Sequence, residues 1–368
     1  MPRAGVSESR GQKLKVTGQR GTPIRSVILL IFGIVFSCTV ASEVFAADFE
    51  AKGPLPIRSQ NPIYLQYLNL TPTRAKVLPK GEAEVRIDNT YSNVFEQGVS
   101  STNSVLLDME ILRTALQFNY GVFEDMELGV EIPFLHFDGG FLDAFIQKYH
   151  NFFGFPNGGR ENVPNGEFHY YFTKNGSTIY NVPELNFGLS DISLNFKYNV
   201  VHEEALMPAI SWMFYFKIPT GKPSRGTGSG SPDFGFGAAL EKSYKRLHGY
   251  FNAAYFVDCG MDNPMQDYIY NYYFSYLLGG GLSVSRVVDL VVQLNGGTPL
   301  LNGTNMTPWD SFPMDIQFGV RGENDLARSE TSKIRAIEWM LGFTEDINPD
   351  GPSIDFTVFA SIGMKFRI

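Results

Sequence analysis

The last fourteen residues, Asp355 to Ile368, alternate in polarity with a period of two. The even positions read Phe356, Val358, Ala360, Ile362, Met364, Phe366 and Ile368; the odd ones read Asp355, Thr357, Phe359, Ser361, Gly363, Lys365 and Arg367, with only Phe359 out of place. Strand side chains point alternately to opposite faces, so this is one strand with a greasy and a wet side. Its length suits a tilted strand crossing a bilayer, whereas strands of soluble sandwiches are usually about half as long. Bacterial outer-membrane barrels commonly end on such a strand with a terminal aromatic, a pattern from which Ile368 departs mildly. The barrel-assembly machinery is the partner expected to engage it.

The alternation recurs upstream. Glu82–Tyr91 sets Ala83, Val85, Ile87 and Tyr91 on one set of positions, among Glu82, Glu84, Arg86 and Asp88. In Val105–Tyr120, the residues Val105, Leu107, Met109 and Ile111 are expected to face outward, before the parity switches to Leu112, Leu116, Phe118 and Tyr120; a β-bulge near Ile111 and Leu112 is the expected cause. Further strands are expected over 126–134, 187–200, 209–218, 234–240, 249–257, 272–284, 290–296, 314–320 and 337–343, which with the tail makes twelve. An even count returns both chain ends to one side. Short turns at 122–125, 201–206, 243–247 and 285–289 alternate with long loops, and tyrosines crowd strand ends, as at Tyr268, Tyr270, Tyr272 and Tyr273. Backbone in lipid is satisfied only by a helix or a closed sheet. The fold expected is therefore all-β: a transmembrane antiparallel up-and-down β-barrel of about twelve strands over 81–368, monomeric, in the outer membrane of a Gram-negative bacterium.

Composition removes the rival classes. A bundle of membrane helices needs repeated apolar runs of ~20 residues, and only Val27–Val40 approaches one. Disorder does not fit 31 Phe and 18 Tyr. Residues 1–46 read as a secretory signal: six basic residues, then VILLIFGIVF, then Val44-Phe45-Ala46, with cleavage after Ala46 or, next best, Ala47. A lipoprotein site at Cys38 is the competing reading, against which stands the bulk of Phe36. Removing six basic and two acidic residues from 30 Lys+Arg and 38 Asp+Glu leaves 24 against 36, a net charge of −12 over 322 residues. So acidic a chain is a poor partner for nucleic acid. Cys259 alone survives cleavage and cannot form an internal disulfide. Residues 47–80, irregular and proline-rich, are expected either in the periplasm or inside the lumen.

One stretch, 139–187, breaks the β pattern and falls on the extracellular side. Phe141, Leu142, Phe145, Ile146, Tyr149, Phe152 and Phe153 recur at helical spacing, with Asp143, Gln147, Lys148, His150 and Asn151 opposite and Gly154 as the stop. This insertion, GGFLDAFIQKYHNFFGFPNGGREN, together with NPIYLQYLNLTP, YGVFEDMELGVEIPF and GLSDISLNFKY, resembles a family of bacterial outer-membrane proteins defined only as a domain of unknown function. The resemblance implies a barrel and a location and carries no activity.

Two groups of residues are candidates for function. Lys148, His150 and Arg160 in the insertion would meet an anionic ligand or a lipopolysaccharide phosphate if the helix lids the barrel mouth; on the plainer reading the aromatic face packs on the rim and the polar groups face water. Glu82, Glu84, Arg86, Asp88, Asp108, Glu110, Arg113, Glu127, Glu131, Asp191, Lys197, Asp315 and Arg321, with Lys365 and Arg367, are expected to face the lumen. Mixed charge there suits a wet passage with a cation preference or a network of ion pairs that closes the barrel. No metal or cofactor is implied. A catalytic serine needs a base within reach, and nothing near Ser229 or Ser231 in GTGSGSPD supplies one on sequence grounds. The chain therefore reads as a pore for small solutes, with a non-conducting surface-binding or structural barrel as the alternative and a lipid-modifying enzyme behind both. Outer-membrane lipids and lipopolysaccharide are its expected surroundings.

Overall fold

The computed structural model describes residues 49–154, 157–260, 263–327, 329, 332–348, 350–352 and 354–368. The leader, with Cys38 and both cleavage positions, lies outside the described residues. In chain order the elements are β1 (Glu82–Val99), β2 (Asn103–Phe123), β3 (Met126–Asp138), α1 (Asp143–Phe153), β4 (His169–Lys174), β5 (Ser177–Asn181), β6 (Leu185–Leu189), β7 (Ile192–Val201), β8 (Ala209–Ile218), β9 (Asp233–Tyr244), β10 (Leu247–Asp258), β11 (Tyr272–Ser283), β12 (Val288–Gly297), β13 (Met314–Asp325), β14 (Ile334–Asp346) and β15 (Phe356–Arg367).

Twelve of the strands close into an antiparallel barrel. β1 pairs with β2 on one side and with β15 on the other, from Glu82↔Arg367 to Asn93↔Phe356, and the ring continues β2–β3–β7–β8 and onward through β14. β4, β5 and β6 belong to the insertion. β4 pairs with Asn103–Asp108 of β2 and with β5, while β6 pairs with the last residues of β3, so the wall is taller on this side. The strand expected over 187–200 is therefore two, separated at Ser190–Asp191. Connections are short at one end, as at Glu124–Asp125 and Lys245–Arg246, and long at the other; we call these the turn end and the loop end.

The outer face is apolar. Val85, Ile87, Leu116, Phe118, Leu128, Trp212, Phe214, Phe236, Phe251, Leu278, Leu341, Val358 and Ile362 are all exposed. Exposed aliphatics and phenyls on one face of every strand are the reverse of a soluble sheet, and match a wall in hydrocarbon.

β2 corrects the sequence reading twice. Its register with β1 runs unbroken from Ala83↔Tyr120 to Val99↔Ser104, so there is no bulge at Ile111 and Leu112; the irregularity falls at Gly121–Phe123 against β3. Val105, Leu107, Met109 and Ile111 face inward and are buried in the core, and Asp108 and Glu110 occupy the outer-face positions. At ~3.3 Å per residue β2 far outruns an apolar band about 25 Å tall. Its loop-end half thus meets protein on both faces: apolar packing within, the polar base of the insertion outside. Phe359, the exception in the tail, points inward and packs in a cluster with Leu55, Ile57, Val291 and Met340. Leu55 is wholly buried. Leu55→Ala should cost about 2–5 kcal/mol of local stability. We expect hydrogen exchange of the Leu55 and Ile57 amides to accelerate at least about tenfold, with the strand amides of β9–β11 unchanged.

Candidate functional site

The lumen is filled by residues 49–80, an irregular segment with a single 3-10 turn at Tyr64–Gln66. Pro54, Pro56, Pro62, Pro72 and Pro79 explain why it does not join the sheet, since proline offers no N–H to a ladder. At the turn end Arg246 stacks over the Phe49 ring at 4.4 Å. The segment then climbs β12. Asp289 accepts from the Lys52 amide at 2.8 Å, Gln293 accepts from the Leu55 amide at 2.9 Å and donates to its carbonyl at 2.8 Å, and Asn295 donates to the Ile57 carbonyl at 2.9 Å. Asn61 turns the chain by accepting from the Ile63 amide at 2.9 Å.

At the apex Gln66 donates to the Tyr170 hydroxyl at 2.8 Å and accepts from that of Tyr180 at 3.0 Å. On the way back Asp233 accepts from the Leu68 amide at 2.7 Å and Asn252 from the Thr73 amide at 2.7 Å. Arg74 grips Glu241 through Nη2 at 2.7 Å and Nε at 3.2 Å, and Glu241 also accepts from the Ala75 amide. Glu127 takes the Leu78 amide at 2.8 Å. The strap leaves past Gly121, where a Cβ would meet the carbonyl oxygens of Leu78 and Pro79.

Charge complements these contacts. Residues 49–80 hold five Lys or Arg (Lys52, Arg58, Arg74, Lys76, Lys80) and one acid, Glu50. Around them the inward face carries buried Glu84, Asp88, Glu127, Glu131, Asp191, Asp233, Glu241, Asp289, Asp315 and Glu338. A basic strap lies in an acidic barrel.

Of the residues expected in the lumen, most are there and paired. Arg86 bridges Glu84 at 2.6 Å and Asp88 at 2.8 Å; Arg113 bonds Glu131; Lys197 meets Glu127 at 3.0 Å; Glu82 meets Arg335 at 3.1 Å near the turn end. Arg321 donates to the Pro54 carbonyl at 2.6 Å and lies 3.4 Å from Glu338. Asp315 is buried, and Lys365 bonds Glu323 at 2.7 Å and also Glu338; Arg367 is exposed at the turn end. Asp108 and Glu110 are the corrections, being outside the wall. Between the strap and β1, β2, β14 and β15 a cavity of about 850 Å³ remains, reaching Glu84, Arg86, Gln117, Lys197, Arg321 and Glu338.

Lys217, Asp233, Glu241 and Arg74 were not singled out from sequence. Lys217 was within reach, because Ser211, Met213 and Tyr215 share its alternate face in β8. Its Nζ lies 2.8 Å from Asp233, 3.2 Å from Asp191 and 2.6 Å from the Ser229 hydroxyl. Lys217 thus donates to Ser229, a neighbour that the sequence did not indicate. Yet two carboxylates hold this lysine, and both Lys217 and Ser229 are buried beneath the 3-10 apex. The group ties the 219–232 loop to the strap. No cluster of His, Cys, Asp and Glu among the described residues is arranged to hold a metal.

The helix of the insertion does not lid the mouth. Helix α1 lies against the outer wall, Phe141 stacking on Tyr91 and Phe145 and Tyr149 meeting Phe356 at a tilt. Glu110 anchors its start by accepting from the Phe141 amide at 2.8 Å and from that of Leu142, and Gly154 ends it in the left-handed conformation at φ 76°. Arg160 bonds Asp143 and Asp355 and lies over the Phe95 ring at 4.9 Å. Burial pushes the Asp355 carboxyl above its ordinary range, opposed by Arg160 and His150. Of the three candidates, Arg160 and His150 are buried toward Asp355, while Lys148 is exposed on another side.

The profile of the DUF3187 family, proteins of unknown function, matches residues 30–368. The chain belongs to that family. No curated protein matches its sequence. Among solved structures, this DUF3187 barrel is similar to an outer membrane channel from Pseudomonas putida F1, over 81% of this chain and 100% of that one, with a TM-score of 0.51 and 14% identity. Weaker likenesses are to the NanC porin (78% and 100% covered, TM-score 0.40, 8% identity) and to the CymD monoaromatic hydrocarbon channel (79% and 89%, 0.34, 9%). At such identities the likeness is one of fold.

Arg160→Ala would leave the buried Asp143 without its cation and Asp355 with His150 alone, a loss of about 3 kcal/mol. We expect the insertion to open locally, read as at least about tenfold faster chymotryptic cutting around Phe152 and Phe153, while the barrel keeps its heat-modifiable migration.

Proposed function

We propose that the protein is an outer-membrane channel for small solutes in a Gram-negative bacterium, held shut at rest by its own residues 49–80. The leader 1–46 would deliver it, and the turn end, with both ends of the barrel chain, would face the periplasm. The observation that carries this reading is how the strap is held. Its backbone is bound by side chains of the wall, namely Asp289, Gln293, Asn295, Asp233, Asn252, Glu241 and Glu127, rather than by a sheet ladder. Such side chains can be rehydrated when the strap leaves, which a strap locked by purely apolar packing would not allow so readily. The charged cavity opens at the turn end and reaches between the strap and the wall as far as Tyr215, which gives water an entry to the limbs of the strap. The similar structure from Pseudomonas putida F1, itself an outer membrane channel, supports the same reading.

Without the strap the inward carboxylates outnumber the inward cations, so the open lumen should prefer cations. The expected result in planar bilayers is that deletion of residues 49–78 turns a largely silent protein into one with ohmic, cation-selective steps. Arg74→Ala, which leaves the buried Glu241 without its cation, should raise open probability on its own, by about tenfold or more for a loss of a few kcal/mol. A lumen occupied along most of its length by the strap also suits a structural barrel that never conducts. Silence of the deletion variant, with heat-modifiable migration intact, would decide for that alternative.

A further inference from the structure

Helix α1 sits the wrong way round for a helix in water. Asp143, Ile146 and His150 are buried against the wall, and the opposite stripe consists of Phe141, Phe145, Lys148 and Phe152, with Phe153 on the flank at the end of the helix. Phe141 is 75% exposed, Phe152 82%, and Phe145 and Phe153 50% each. Were the surroundings aqueous, rotating the helix would hide these phenyls and release Asp143 to solvent, and each phenyl buried is worth about 1.5–3 kcal/mol. Three anchors prevent the rotation: Glu110 on the first amides, Arg160 on Asp143, and Asn93 donating to Asp143 at 3.0 Å. The insertion therefore uses polar contacts to keep its aromatic face largely exposed, touching the wall along its edge at Tyr91 and Phe356.

That face continues the apolar belt. Phe145 and Tyr149 touch Phe356, Phe356 stacks on Phe343 at 6.1 Å, and Phe343 stacks on Phe318 at 5.3 Å, all on the outward positions of β15, β14 and β13. The aromatic track runs without interruption from the lipid-facing wall onto the helix.

We propose that α1 is an interfacial helix whose Phe141, Phe145 and Phe152 are seated among the acyl chains of the outer leaflet. The inference rests on the barrel being membrane-spanning. Lys148, in the same stripe, has the length to lay its stem along the phenyls and bring its ammonium up to the headgroup phosphates. The loop end is thus held to the bilayer by a ring of wall and a lateral foot.

The test is a nitroxide label on Phe152→Cys, in a Cys38→Ser, Cys259→Ser background, with the full chain in vesicles of phosphatidylethanolamine and phosphatidylglycerol. Leu341→Cys in the belt and Leu206→Cys in a turn, 61% and 93% exposed, serve as references. The ratio of oxygen to nickel-chelate accessibility at position 152 should fall within about twofold of that at 341 and at least about fivefold above that at 206. A ratio at 152 like that at 206, with 341 lipid-like, overturns the inference and leaves the barrel reading standing. Shielding of 152 from both reagents, or dipolar broadening between labels, overturns it in favour of a second copy or another protein. A water-like 341 removes the membrane reading itself, and this inference with it.

Discussion

The hydrogen bonds between β1 and β15 are what the rest of the molecule depends on. Twelve residue pairs, Glu82↔Arg367 to Asn93↔Phe356, join the first strand to the last, so the twelve-stranded ring keeps no open edge, and the sheet's two edges, β5 and β6, belong to the insertion. An edge strand in hydrocarbon would leave a row of N–H and C=O groups with neither water nor partner, each costing several kcal/mol. Once the ring is closed, every second side chain must face outward and every other inward. The exposed phenyls and aliphatics outside, and the ion pairs inside, follow from that geometry.

Closure creates a second demand, because a twelve-stranded ring encloses more space than its own inward side chains fill. Here the chain meets it with thirty-odd residues of its own N-terminal side. Their composition fits them to the lumen, since prolines stop them from pairing as strands, Leu55, Ile57, Leu65 and Leu68 offer apolar surface, and Arg58 and Arg74 bring positive charge to an acidic wall. The wall adapts in turn. Where the strap presents apolar residues, inward positions become Val105, Leu107, Met109, Ile111, Val291, Met340 and Phe359; where it presents backbone, they become Asp, Gln and Asn.

This adaptation explains how far the sequence could be read. Strand number, the turn-and-loop asymmetry and the outward belt were legible because period-two alternation reports a face in lipid, as at Leu116, Phe118, Val358 and Ile362. The loop-end half of β2 was misread because the rule assumes that apolar means outward. With a strap inside and an insertion outside, Val105 to Ile111 obey it in reverse, and Asp108 and Glu110 follow. For the same reason Phe359 looked out of place in the tail and is in fact a contact. Helix α1 was legible as a helix from its spacing, but spacing fixes only which residues share a face, not whether that face meets protein. Arg74 and Glu241 lie 167 residues apart in sequence, and no local pattern links an arginine in an irregular segment to one carboxylate among many.

The chemistry of the strap's contacts bears on whether it can move. A segment buried by apolar packing alone loses its whole hydrophobic stabilisation on leaving and exposes a greasy cavity. The strap has two such regions, the cluster around Leu55 and the one around Leu65 and Leu68, joined by limbs whose partners are hydrogen-bonding side chains. Water entering from the turn-end cavity can replace those partners one at a time, so the limbs oppose release by far less than the count of their bonds suggests. Arg74 is different. Its partner Glu241 is fully buried in the closed state, and a carboxylate at that depth needs either its cation or bulk water. Release of the strap, as proposed, would therefore require the lumen to flood as Arg74 departs. On the proposed reading the intermediate with Glu241 dry and unpaired would be the costly one, which would make opening a two-state event rather than a gradual loosening.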